Sequence, residues 1–262
     1  MNRTAAKTGA LLCGHGSRDE EARAEFDRFV AATRTALSNR GLSIPTEGGY
    51  LEFLHPTIEE SFVKLAQAGA TRIMAQPLML FAARHATKDI PGQANAFAAS
   101  HPCIRIDCGQ QLSLDTKIFA AACDRVSEAT AAAKSTVRYS DTLLLVIGRG
   151  SADEHANLTL ADLAGRLGEK FGAAKIEIAF AGIAKPSISD GLDQARSQGY
   201  PHIVILPYFL FTGVLVKRIH TLAREAARKN PHVEFLVAGH LSNHPLVVES
   251  VVDRILTIER SV

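Results

Sequence analysis

The sequence lacks any long apolar run, and its charge is nearly balanced. No stretch approaches the roughly 20 apolar residues that a membrane-spanning helix needs, and residues 1–9 lack the apolar core of a signal peptide. We therefore expect a cytoplasmic protein with no membrane partner. The formal net charge of +2 creates no global field that would attract nucleic acid, so no nucleic-acid partner is expected either.

Two common kinds of binding motif are also missing. The four cysteines form no Cys-x-x-Cys pair, which disfavours a structural zinc or iron–sulfur site, and we expect free, mostly buried thiols. The glycine turns match neither the Gly-x-x-x-x-Gly-Lys-Ser/Thr loop nor the Gly-x-Gly-x-x-Gly fingerprint, so nucleotide binding has little support. No organic cofactor is expected.

What the sequence does contain is a regular alternation of strand-like and helix-like segments. The 262 residues are 47% hydrophobic and 21% charged, as in an ordinary globular protein of one large or two smaller domains. Strands separated by helices predict parallel sheets with right-handed crossovers. The predicted strands are residues 10–13, 46–53, 72–80, 103–108, 142–147, 175–182, 202–209 and 233–238.

The second half of this alternation repeats the first. Matched glycines, prolines, phenylalanines and an Asp-Arg pair recur at offsets of 129 to 134 positions, a period too long for a solenoid and typical of a duplicated domain. We predict an α/β protein of two tandem domains, each with a four-stranded parallel sheet. The predicted bounds are 1–130 for the N-terminal domain, 131–141 for the linker and 142–262 for the C-terminal domain. The matched positions include Gly14 and Gly148, Pro56 and Pro186, Pro77 and Pro207, and Asp124-Arg125 and Asp253-Arg254.

A glycine-flanked histidine follows the first predicted strand. The apolar run ends in Gly-His-Gly-Ser at residues 14–17, and a charged, helix-prone segment follows. This pattern indicates a buried strand that delivers His15 to a tight turn. The second copy reads Gly-Arg-Gly-Ser at residues 148–151, so Arg149 replaces the imidazole while the glycine frame is kept.

Three ligand-capable side chains follow successive strands of the first half. They are His15 after the first strand, Glu52 at the end of the second and His85 just after the third. Because ligands of open parallel sheets bind beyond the carboxyl ends of the strands, these side chains can converge on one point. Two imidazoles and a carboxylate suit a borderline divalent metal, with coordination positions left open for exchange.

The second half has lost all three of these groups. The equivalent residues are Arg149, Gly182 and Leu215, while the fold landmarks remain, which favours a functional role over a structural one. Plainer interpretations exist, since Glu52 alone can be a carboxylate that favours the dipole of the next helix. A hydrolase or phosphatase with His15 as nucleophile is another alternative, but only Arg18 lies close enough in sequence to help bind phosphate.

The combined motifs resemble those of the class II chelatases, specifically the sirohydrochlorin chelatase family, which inserts cobalt or iron into sirohydrochlorin. The resemblance covers nearly the whole chain. The matching pieces are residues 14–18, 51–53 before Pro56, 77–91 with His85, and, in the second half, 148–157 and 244–247.

The resemblance implies two flavodoxin-like, chelatase-like domains that face each other across a cleft, with the macrocycle between them. It also implies that His15 and His85 bind the incoming metal and assist removal of the pyrrole protons. Glu52 is then a further metal ligand or a base.

Sirohydrochlorin carries several carboxylates, so its binding site should offer cations. The residues expected to contact the macrocycle are Ser17, Arg84, Lys88 and Arg149, with Arg149 opposite the histidine face. Further cations near predicted strand ends are Arg18, Lys185, Lys217 and Arg218.

Neutral imidazole with a carboxylate is compatible with Co²⁺, Fe²⁺ and Ni²⁺. By resemblance, the two-domain length and the Gly-Arg-Gly-Ser copy favour a cobaltochelatase of cobalamin biosynthesis, with the metal as a substrate. The alternatives are the ferrochelatase of sirohaem biosynthesis and, outside the enzymes, a metal or tetrapyrrole carrier on the same fold. We expect a monomer or a homodimer.

Overall fold

The computed structural model describes residues 7–81, 88–112, 115–242 and 244–260. Strands and helices alternate along these ranges. The strands are β1 (Thr8–Gly14), β2 (Thr46–Tyr50), β3 (Arg72–Pro77), β4 (Arg105–Cys108), β5 (Thr142–Gly148), β6 (Lys175–Phe180), β7 (His202–Pro207) and β8 (Glu234–Val237). The helices are α1 (Glu20–Asn39), α2 (Ile58–Gln67), α3 (Ile90–Ser100), α4 (Thr116–Ala131), α5 (Glu154–Phe171), α6 (Ile188–Ser197), α7 (Val214–Lys229) and α8 (Pro245–Arg260).

The strands form two four-stranded parallel sheets with the same topology. Their orders are β2-β1-β3-β4 and β6-β5-β7-β8. The central strands β3 and β5 are buried along their whole length, and β1 is buried from Gly9 onward. Continuous apolar runs are typical of parallel strands that are covered on both faces. The predicted α/β fold with one four-stranded parallel sheet in each half is confirmed.

The register brings the ends of the first three strands to one edge of the first sheet. Gly14 pairs with Tyr50, and Cys13 pairs with Pro77. The chain therefore leaves β1, β2 and β3 at the same edge, which is where parallel α/β sheets bind ligands.

Strands β2 and β6 are shorter than the sequence predicted. They end at Tyr50 and Phe180 rather than at residues 53 and 182, because the chain turns back on itself after each. The N–H of Tyr50 donates to the carbonyl of Pro56, and that of Phe180 donates to the carbonyl of Pro186, both at 2.9 Å. Residues 51–56 are consequently a turn, and Glu52 lies within it.

A capping box fixes the end of this turn. The hydroxyl of Thr57 accepts from the N–H of Glu60 at 3.1 Å, and the Glu60 carboxylate accepts from the N–H of Thr57 at 2.7 Å. Ser187 and Asp190 form the same box at the start of α6. Each box satisfies N–H groups that a helix start leaves unpaired, so both turns are followed by a helix with a stabilised N-terminus.

The compact units differ from the predicted division at residues 130 and 142. One unit contains β1–β4, α1–α3 and α8, and the other contains β5–β8 and α4–α7. The two helices that are equivalent in the repeat are thus exchanged. Helix α8 packs on α1 and β3, whereas α4 packs on β7 and β8.

A buried arginine holds the exchanged helix α8 in place. Arg72 on β3 donates to the carbonyls of Ile258 and Glu259, at 2.7 and 3.2 Å, at the end of α8. Its Nε also donates to Asp107 at 2.7 Å. Burial disfavours the charged form of Asp107, but hydrogen bonds from Arg72 and Arg105 outweigh this and lower the pKa of its carboxyl.

The cysteines depart from the expectation that most of them are buried. All four are free, but only Cys13 is buried, and Cys103 and Cys108 are exposed. Burial raises the pKa of the Cys13 thiol, which keeps it protonated and unreactive. Among the helices that the structure describes, none has the length and apolar composition to cross a bilayer.

Candidate functional site

His15 follows the central strand β1 directly, at the edge where the three strands end. It is half-buried, and its Nδ1 lies 3.3 Å from the carbonyl oxygen of Gly16. The N–H of Glu52 donates to the carbonyl of His15 at 3.0 Å, and the N–H of Leu51 donates to that of Gly14 at 2.9 Å. These bonds extend the β1–β2 pairing into the turn, so the predicted neighbours His15 and Glu52 are brought together.

Gly16 allows this close approach. Its φ is +95°, and a Cβ at this position would overlap the carbonyl group of Glu52. A side chain would therefore suffer both left-handed strain and a clash with backbone. In the second copy, Gly150 has φ +76°, and its Cβ would lie 2.8 Å from that of Phe180. The second glycine is thus required by the fold in both copies.

The serine and aspartate of the turn start the following helix. The Ser17 hydroxyl accepts from the N–H of Asp19 at 3.2 Å, and the Asp19 carboxylate accepts from the N–H of Glu21 at 3.0 Å, as an N-cap of α1. Ser151 and Asp153 repeat this arrangement before α5. The predicted macrocycle contact of Ser17 stays a prediction beside this structural role.

Glu52 is exposed and borders a cavity of about 420 Å³ within the first unit that is largely open to solvent. Lys88 and Asp89, which precede α3, also line it. The cavity therefore combines the predicted carboxylate ligand with one of the cations predicted to bind the macrocycle. Its lining residues are Leu51, Glu52, Lys88, Asp89, Gly92 and Gln93.

Phe53, which the sequence analysis did not single out, lies beside His15. Its ring centroid lies 6.2 Å from that of His15, with an angle of 30° between the ring planes. The Arg18 guanidinium carbon lies 5.0 Å from the same centroid. An exposed aromatic ring thus lies beside both an imidazole and a cation at the strand ends. The available signal was the repeat, since the equivalent residue Ile183 is also large and apolar.

Two predicted site residues, Arg84 and His85, lie outside the residues that the structure describes. Within the described ranges, no group of three or more His, Cys, Asp and Glu side chains is arranged to hold a metal ion. The predicted ligand set of His15, Glu52 and His85 therefore stays a prediction.

In the second copy, the backbone leaves no room for a side chain at the position equivalent to Glu52. The N–H of Gly182 donates to the carbonyl of Arg149 at 2.7 Å, which matches the bond from Glu52 to His15. A Cβ on Gly182 would lie 2.6 Å from the Arg149 carbonyl oxygen, closer than a side chain tolerates. Arg149 itself is exposed, so this turn presents a cation and no ligand-capable group at the Glu52 position.

Two α/β units with one topology and a histidine turn in the first copy define a duplicated, chelatase-like protein. The CbiX family model matches residues 9–129 and again residues 143–258. The chain therefore belongs to the CbiX family, and the predicted relationship to the sirohydrochlorin chelatases is confirmed.

Relatives of known name are similar along most of the chain. A sirohydrochlorin cobaltochelatase of Priestia megaterium is 30% identical over 90% of this chain and 74% of its own length. A sirohydrochlorin ferrochelatase of the same organism is 28% identical over 89% of this chain and 84% of its own length. The structure of SirB from Bacillus subtilis with Fe³⁺ superposes with a TM-score of 0.80 at 27% identity, covering 97% of this chain and 96% of SirB.

Proposed function

We propose that this chain inserts a divalent metal ion, cobalt(II), into sirohydrochlorin during cobalamin biosynthesis. The observation that carries the proposal is the backbone hydrogen bond of 3.0 Å from Glu52 to His15. It makes the histidine and the glutamate backbone neighbours at the ends of two adjacent strands, which supports a shared role for their side chains. Membership of the CbiX family and the cobaltochelatase of Priestia megaterium, 30% identical, support this assignment.

The chemistry requires a loosely held metal and a base. Insertion of a divalent ion into a tetrapyrrole releases two pyrrole protons, so a group that accepts protons near neutral pH must lie beside the metal. A neutral imidazole can act as metal ligand and as base, and an exposed carboxylate adds a hard, exchangeable ligand. We assign these roles to His15 and Glu52, with His85 as a second imidazole.

The macrocycle is anionic, and the cavity beside Glu52 offers a cation for it. Lys88 borders that cavity and is suited to pair with a carboxylate of sirohydrochlorin. We assign further carboxylate contacts to Arg84 and Arg149. The exposed Arg149, at the position of His15, is the cation that distinguishes the second copy from the first.

A metal-competition assay tests the proposal and its rivals. Purified protein is mixed anaerobically with sirohydrochlorin and with Co²⁺, Fe²⁺ or Ni²⁺, singly and in pairs, and metallation is followed by absorbance. Faster turnover with cobalt supports the proposal. Faster turnover with iron indicates the sirohaem enzyme, a reading supported by the ferrochelatase at 28% identity. Binding of metal and tetrapyrrole without turnover indicates a carrier.

A further inference from the structure

Phe53 combines solvent exposure with a backbone conformation that phenylalanine rarely adopts. Its φ is +68°, and 55% of the residue's surface is exposed. Left-handed backbone in a bulky residue is costly and occurs most often where a site needs the side chain in one place. Burial in a core does not account for this aromatic residue, because more than half of it faces solvent.

The neighbours of Phe53 are the groups that the proposed reaction uses. The residue directly follows Glu52, and its ring is stacked beside His15 at a centroid distance of 6.2 Å. Arg18 places its guanidinium 5.0 Å from the ring centroid, within the range of a cation–π contact. An exposed apolar surface with a cation on it therefore borders the predicted metal ligands.

The internal repeat shows that the apolar character of this position is kept. Ile183 occupies it in the second copy and is 77% exposed. Over the same two turns His15 has become Arg149, and Glu52 has become Gly182. A single exposed apolar side chain needs no explanation. Here both copies keep one at the same position, although the second copy has lost the histidine and the carboxylate beside it. The apolar side chain therefore serves a purpose other than support of the metal ligands.

We infer that Phe53 is a substrate-binding residue whose ring contacts the planar apolar surface of the tetrapyrrole. Arg18, stacked on that ring, pairs with a carboxylate at the edge of the macrocycle. A flat conjugated ligand gains from aromatic contact, and a guanidinium pairs with carboxylates through directed hydrogen bonds. This inference rests on the proposed function, because it takes the tetrapyrrole as the ligand.

The test compares Phe53→Gly with the wild type. Glycine adopts the left-handed backbone freely, so thermal stability should be unchanged or higher while the ring is lost. We expect the dissociation constant for metal-free sirohydrochlorin, measured by its fluorescence, to rise about tenfold, which is about 1.4 kcal/mol. The dissociation constant for Co²⁺ should stay within about twofold, and kcat at saturating macrocycle should change less than KM.

Two further variants serve as controls. Phe53→Tyr keeps the ring and should restore sirohydrochlorin binding. Val63→Ala removes another exposed apolar side chain of the first unit, on α2, and should leave the binding of macrocycle and metal unchanged.

The inference is overturned if Phe53→Gly binds sirohydrochlorin as tightly as the wild type. It is also overturned if the variant loses cobalt affinity and kcat with an unchanged macrocycle affinity, since the ring would then only support His15. A wild-type protein that binds sirohydrochlorin without metallating it refutes the proposed enzyme, while a tenfold loss in Phe53→Gly still supports the inference. Failure of the wild type to bind sirohydrochlorin overturns both.

Discussion

Replacing Gly16 by alanine should disturb the contact that places Glu52 beside His15. The alanine Cβ would overlap the carbonyl group of Glu52, and φ at this position is +95°. The clash is with backbone, so it cannot be relieved by a side-chain rotation. The turn at residues 51–56 must shift, and the carboxylate of Glu52 shifts with it.

The magnitude follows from a matched glycine in the same unit. Gly41, at the end of α1, has φ +82° and open space where a Cβ would lie. Gly41→Ala therefore isolates the left-handed strain, about 1 to 2 kcal/mol. Gly16→Ala adds an overpacking cost of about 1 to 3 kcal/mol, and we expect a total loss in unfolding free energy of about 3 kcal/mol.

The activity should fall more steeply than the stability. A displacement of about 1 Å in a catalytic group costs roughly 100-fold in rate, so cobalt insertion by Gly16→Ala should slow by that factor. Gly41→Ala should insert cobalt at the wild-type rate. Urea unfolding and the absorbance assay measure both quantities below the unfolding midpoint. Equal stability and equal rates for the two variants would refute the role of Gly16.

Three further predictions concern other residues. His15→Ala should abolish metallation and weaken cobalt binding without unfolding the protein; a near wild-type rate would contradict its assignment. Arg149→Ala should weaken sirohydrochlorin binding and leave cobalt binding unchanged, and the reverse result would contradict the division of roles. Arg72→Met should cost about 3 kcal/mol of unfolding free energy, because two charge-assisted bonds to α8 are lost and the carboxylate of Asp107 keeps one partner. Arg105→Met, whose side chain is 56% exposed against 10% for Arg72, should cost less than about 1 kcal/mol. The pKa of Asp107 is lowered on folding. Its contribution to the free energy of unfolding is therefore present above its unfolded pKa and is lost as the pH falls through its folded pKa. Urea midpoints measured from neutral to acidic pH should show this decline in the wild type and less of it in Arg72→Met.

The sheets were predictable from the sequence because their signals are local. Apolar runs of strand length, separated by helices, specify parallel strands covered on both faces. The repeat then predicted equal topology in the two halves. The same local reasoning overestimated β2 by three residues, since Leu51 and Phe53 continue an apolar pattern although the chain already turns after Tyr50, whose N–H donates to the carbonyl of Pro56.

The exchange of α4 and α8 between the two units could not be predicted from local sequence patterns. Arg125 on α4 donates to the carbonyl of His240, and Arg254 on α8 donates to that of Leu112, at 3.0 and 2.8 Å. The two arginines are equivalent in the repeat, and so are the loops that they bind. Because each helix carries the chemistry suited to either sheet, the sequence is equally compatible with a sequential and an exchanged arrangement. Which of the two arrangements forms depends on the segment that connects the two halves and on the tertiary packing of the helices.

The candidate ligands could be chosen from residue type alone, whereas Phe53 could not, because its part in the candidate site depends on conformation. His15 and Glu52 are recognisable as candidate ligands, and a backbone hydrogen bond just beyond β1 and β2 makes the two residues neighbours. In the sequence, Phe53 is one more apolar residue at a predicted strand end. Its proposed role depends on its solvent exposure and on its positive φ, which the sequence alone does not reveal. The comparison of the two copies supplies the missing information. The second glycine of each turn persists because the backbone geometry requires it in both copies. The proposed roles account for the difference between the copies, since one metal ion enters each macrocycle and the proposed metal ligands are needed once.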